Sequence, residues 1–145
     1  MEELPRLLAF TTNATALYNG NEIPYYLMRQ HLTNHSFHPD LPETEVFGIE
    51  ESVPGPLIVA NVNSPVFVQW LNLLPEEHIL PVDTTILSQD QTDAVVYSVT
   101  TLHGAFSDEA FDGLPDDWVA SGGNESYFAF YDNSHEAALV SGSLS

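Results

Sequence analysis

The 145 residues suit one domain, 1–145, long enough to bury about two-thirds of the surface that its unfolded chain exposes. With 21 acidic residues against two arginines, Arg6 and Arg29, and no lysine, the formal net charge is -19. No basic patch can form to neutralise phosphates, so nucleic acid and anionic membrane surfaces are excluded as partners, and the absence of cysteine removes disulfides and thiolate ligands.

In chain order, MEELPRLLAF (1–10) is apolar but short and carries two glutamates, so it does not read as a secretory signal. No apolar run reaches the roughly 18 residues of a membrane span. PYYLMRQHL (24–32) opens a series of strand candidates. PLIVANV (56–62) is a short β-branched run between VPGP and NSP. PVFVQWLN (65–72) alternates, with Val66, Val68 and Trp70 on one face and Phe67, Gln69 and Leu71 on the other. A long connection, 72–93, leads to AVVYSVTTLHG (94–104), the longest candidate, followed by SYFAFY (126–131) and EAALV (136–140). Turn signals separate them at HPDLP (38–42), VPGP (53–56), DGLPDD (112–117), SGGN (121–124) and YDNS (131–134). Many short strands so punctuated predict an all-β sandwich or barrel. The 43% apolar content supports a packed core, while the charge imbalance predicts self-repulsion that salt relieves and a halophilic source.

The chemistry concentrates near the end of the longest candidate. On a strand, Val95, Tyr97, Val99, Thr101 and His103 share a face. A His-x-His pair at 101 and 103 would aim two imidazoles, good copper ligands, from one rigid element. Here only the second position is histidine.

The succession VPGP, PVFVQWLNLLP, HILPVDTT, TLHG and DGLPDDW resembles the first cupredoxin domain of multicopper oxidases, in the spore-coat laccase and bilirubin-oxidase-like branch. The upstream stretch YYLMRQHLTNHSFHPDLPETEVFGI is similar to that branch as well, and the similarity runs from about residue 24 to about residue 140. The resemblance implies a cupredoxin-like Greek-key β-sandwich, here lacking its final strands because the chain stops at Ser145. It also implies copper. In the family, three such domains carry electrons from phenols, bilirubin-like pigments or metal ions to a three-copper cluster that reduces dioxygen to water.

The first domain of the family gives that cluster two His-x-His pairs. The family's HLHG reads here as Thr101-Leu102-His103-Gly104, so the first ligand is replaced and His103 keeps the second. The other pair, from a W-Y-H-D-H stretch, falls at Ser143 and Ser145 in VSGSLS, and no histidine occurs in the last ten residues. A hydroxyl is a poor substitute for imidazole on copper. The expectation is therefore a family copper position at His103, no catalytic residue, no copper bound by the chain alone, and an oxidase domain inactive in isolation. The alternative is a non-catalytic binding or structural module completed by a partner chain. Partners would be further cupredoxin domains, or a second copy paired through an exposed strand edge. A split oxidase that takes its ligands from another chain is disfavoured by the losses at Thr101, Ser143 and Ser145.

Other candidates read more simply. His31, His35 and His38 would align on a helix, but Pro39 and Pro42 argue against one and for surface histidines. Asp108, Glu109, Asp112, Asp116 and Asp117 lack the spacing of a calcium loop and read as a solvated acidic segment, with Trp118 a packing residue. No G-x-S-x-G turn supports a serine hydrolase. The N-x-S/T triplets at Asn13, Asn34 and Asn124 matter only on a eukaryotic secretory route.

Overall fold

Asn19 and Gly20, both at positive φ, make the two-residue turn that joins β1 (Thr15–Tyr18) to β2 (Asn21–His35). In the computed structural model the described residues are 9–81, 96–104, 107–123 and 125–135, with the backbone alone of 143–144. β3 (Thr44–Ile49) returns antiparallel along the second half of β2. β4 (Val66–Asn72) lies on the other side of β2, parallel to it. Then come β5 (Tyr97–Ser98), β6 (Thr100–Thr101), a 3-10 turn at Glu109–Phe111, β7 (Val119–Ala120), β8 (Ser126–Tyr131) and β9 (Ser143–Leu144). The main sheet runs β1-β2-β4-β8, with β3 also on β2. The small pairs β5-β7 and β6-β9 begin the second layer. This is the expected all-β, cupredoxin-like sandwich, short of strands among the described residues. No helix among them is long and apolar enough to cross a membrane.

One face of the sheet makes the core. Tyr26 and Met28 of β2, Val66 and Val68 of β4, and Ala129 and Tyr131 of β8 are buried together. Phe10, Ile49, Ile58, Trp70, Leu102 and Tyr127 pack against them. Full burial of each large apolar side chain stabilises by roughly 1.5–3 kcal/mol, so this cluster is the main driving force for the sandwich.

The strand expectations at 24–32, 65–72 and 126–131 agree with β2, β4 and β8. The run at 56–62 is different: only Leu57 pairs, in a single bridge to Ala9. Pro56 and Pro65 lack ladder donors and Asn63 has φ 60°, so the segment cannot hold an extended register despite its β-branched residues. The longest candidate is broken at Val99 into β5 and β6, each with its own partner strand. Residues 94–95 and the candidate 136–140 lie outside the described residues.

Candidate copper-ligand strand

Residues 96–104 are fixed from their buried side by amides. Gln30 and Asn72 are each 1% exposed, in the middle of the sheet. Gln30 Nε2 donates to Thr100 Oγ1 at 3.2 Å, and Ser98 Oγ donates to Gln30 Oε1 at 2.5 Å. Asn72 Nδ2 donates to the carbonyls of Val96 at 3.0 Å and Val119 at 2.8 Å, and Asn72 Oδ1 accepts from Leu74 N at 3.0 Å. Buried polar groups persist only when bonded, so these two amides decide where β5, β6 and β7 stand against the sheet. Sequence reasoning missed them. The signal was an amide inside each apolar run, in LMRQHL and QWLNLL.

The opposite face carries Tyr97 and Thr101. Tyr97 packs edge-on against Trp118, centroids 4.5 Å apart, which gives Trp118 the packing role expected of it. Thr101 Oγ1 donates to the Asp112 carbonyl. Gly113 has φ 67° and presses on the same strand: a Cβ there would lie 2.2 Å from the Thr100 carbonyl oxygen. Its N–H donates to Tyr127 Oη at 3.0 Å. The Asp112-Gly113 turn thus lies directly on β6, and only glycine allows that approach at that φ.

β6 ends at Thr101, and His103 stands two residues on, exposed in a turn with Gly104. β9 pairs antiparallel with β6, making Ser143 the Cα partner of Thr101. The chain therefore brings two of the four matched positions, 101 and 143, opposite one another across a ladder. Ser145 lies outside the described residues.

The remaining histidines are scattered. His31 and His35 lie on β2, four residues and hence roughly 13 Å apart along an extended strand, too far to share an ion. His35 packs on Phe37 and His78 on Phe47, while His38 Nδ1 accepts from Asp40 N at 3.2 Å. In the acidic segment, carboxylates bond their own loop: Asp108 to Ala110 N, Asp112 to Ser107 Oγ and Asp117 to Leu114 N, each at 3.0 Å. Among the described residues no group of three or more His, Cys, Asp or Glu is placed to hold a metal. Of the matched positions with described side chains, His103 is an exposed imidazole and Thr101 a hydroxyl that donates to a carbonyl.

No family model matches the chain. It is 32% identical over 122 residues to a laccase of Bacillus subtilis, covering 83% of this chain and 24% of that protein. It is 45% identical over 97 residues to a laccase of Haloferax volcanii, covering 61% of this chain and 17% of that protein. It is 38% identical over 98 residues to the multicopper oxidase LPR1 of Arabidopsis thaliana, covering 64% of this chain and 17% of that protein. The chain spans about a quarter or less of the length of these relatives. Its sandwich, its succession of motifs and these similarities agree, and the chain is a cupredoxin-like domain of the multicopper oxidase family.

Proposed function

We propose that the chain, 1–145, is the first-domain sandwich of a multicopper oxidase in which most of the copper-ligand positions have been given up. By itself it does not couple oxidation of a substrate to dioxygen reduction, and its β-sandwich serves as a structural or binding module. The observation that carries this is at Thr101. Where the family places its first imidazole, a hydroxyl donates to Asp112 O under a glycine packed on Thr100. His103 keeps the family's second ligand position but is exposed, with no imidazole at 101 beside it. The laccase relative from Haloferax volcanii and the net charge of -19 support a halophilic source.

Copper titration of the metal-free chain by calorimetry, beside a His103→Ala variant, tests the proposal. The expected result is weak or no binding, indifferent to the substitution. Tight binding that disappears in His103→Ala would mean that the chain completes a copper site around His103, and the proposal would fall.

A further inference from the structure

A strand with one face on the core and the other in water normally alternates apolar inward and polar outward. The β2-β4-β8 sheet departs from this on its outer face. Tyr25 and Leu27 of β2, Phe67 and Leu71 of β4, and Phe128 of β8 point away from the core, and Phe128 is 46% exposed. The rings touch in a row across the strands. Tyr25 stacks on Phe67 with centroids 6.0 Å apart, and Phe67 meets Phe128 at 5.8 Å.

The polar groups on this face satisfy one another. The Tyr25 hydroxyl donates to Gln69 Oε1, and Gln69 Nε2 donates to Ser126 Oγ at 2.8 Å. The one cation, Arg29, is matched by Glu50 at 3.1 Å. Drying the face therefore leaves the Tyr25, Gln69 and Arg29 groups just named with partners already in place. None of the outward positions of β2 from Tyr25 on, or of β3, β4 and β8, is Asp or Glu. In a chain of net charge -19 the carboxylate placed on this face, that of Glu50, is held by Arg29, so the window carries no unpaired acid from these strands.

We infer that two copies of this chain associate through that face. A cationic partner would seek the carboxylates elsewhere, not a neutral aromatic window. A second copy repels everywhere except where carboxylates are missing or paired, and it offers the same window. Two-fold pairing buries both charge-balanced faces and leaves the unpaired acidic residues at the rim. Salt strengthens the dimer by screening the rim. The inference holds whether or not copper is bound.

Analytical ultracentrifugation of the chain at low and molar salt, over a range of protein concentrations, tests it. The expected result is a monomer–dimer equilibrium that tightens with salt. Phe128→Glu should weaken it at least about tenfold and Phe128→Gln less, with unchanged circular dichroism because the site is half-exposed. A readout needing no variant is the wild-type amide spectrum, in which Phe67 and Phe128 should shift with concentration. A chain monomeric under every condition would overturn the inference. So would association untouched by Phe128→Glu, which would place the contact on another surface such as a strand edge, or open-ended aggregation in place of a dimer.

Discussion

Replacing Asn72 by leucine should unfasten the second layer from the sheet. The wild-type amide meets the Val96 carbonyl at 3.0 Å, the Val119 carbonyl at 2.8 Å and Leu74 N at 3.0 Å. Leucine has similar bulk and none of these groups. The Val96 carbonyl keeps a bond from Ser121 N at 2.9 Å, so its loss is partial. Leu74 N and the Val119 carbonyl lose this partner inside the protein, and a stranded buried group costs roughly 1–3 kcal/mol. The sum is about 2–5 kcal/mol, a large share of the 5–15 kcal/mol that holds a typical domain. Urea unfolding in molar salt would measure it, and hydrogen exchange would localise it, with the amides of Leu74 and Ser121 losing protection first. Asn72→Asp adds a pH signature. A carboxylate facing two carbonyls is held above the ordinary carboxylate range, so its penalty is small in acid and grows as pH rises through that range. A loss under about 0.5 kcal/mol in Asn72→Leu, the scatter of an ordinary surface substitution, with protection at Leu74 unchanged, would refute the anchoring role.

Three further outcomes are expected. The melting temperature should rise from low to molar salt, because a net charge of -19 repels itself and salt screens it; an unchanged or lowered value would contradict this. Burial pushes the Tyr131 hydroxyl up to about 12, opposed in part by the nearby Trp70 indole N–H, which finds no well-formed acceptor among the described residues. Since the unfolded chain ionises first, this group's contribution is full below pH 10 and is lost as pH rises to about 12. The loss is on the order of 2–3 kcal/mol, and Tyr131→Phe should flatten that limb of a stability-versus-pH curve. Thr101→His should yield no phenol oxidation with added copper and should cost about 1 kcal/mol or more for the lost bond to Asp112 O; measurable oxidation would overturn the reading of this strand.

The main sheet was legible because its strands carry their own pattern. Val66, Val68 and Trp70 alternate with Phe67, Gln69 and Leu71, and the structure puts the first set on the core and the second outward. β1 and β3 were not anticipated, because TALY and TEVFGI are short and carry a single buried residue between them, and pairing with β2 rather than periodicity makes them strands. The run at 56–62 shows the converse, since β-branched residues without donors and a register do not form a ladder. At the candidate site, spacing led to Thr101 and His103, but nothing local could reveal that Asp112 O would take the Thr101 hydroxyl. That contact joins residues 11 apart through a glycine turn.

Fold and chemistry separate cleanly along β6. From the core, Gln30 holds Thr100 and Ser98. From the other side, Gly113 lies against Thr100 and Asp112 takes Thr101. A strand clamped on both sides keeps its place whether its outward residues are imidazoles or hydroxyls, because neither Gln30 nor Gly113 depends on them. On the proposed reading, exchanging imidazole for hydroxyl therefore costs this sandwich little, while β6 and its pairing with β9 remain. The Asp112 carbonyl goes further than tolerance. It gives the Thr101 hydroxyl an acceptor, so the present residue is fitted to its surroundings. Of the four matched positions only His103 is histidine, which is why a single added histidine at 101 is expected to yield no oxidation.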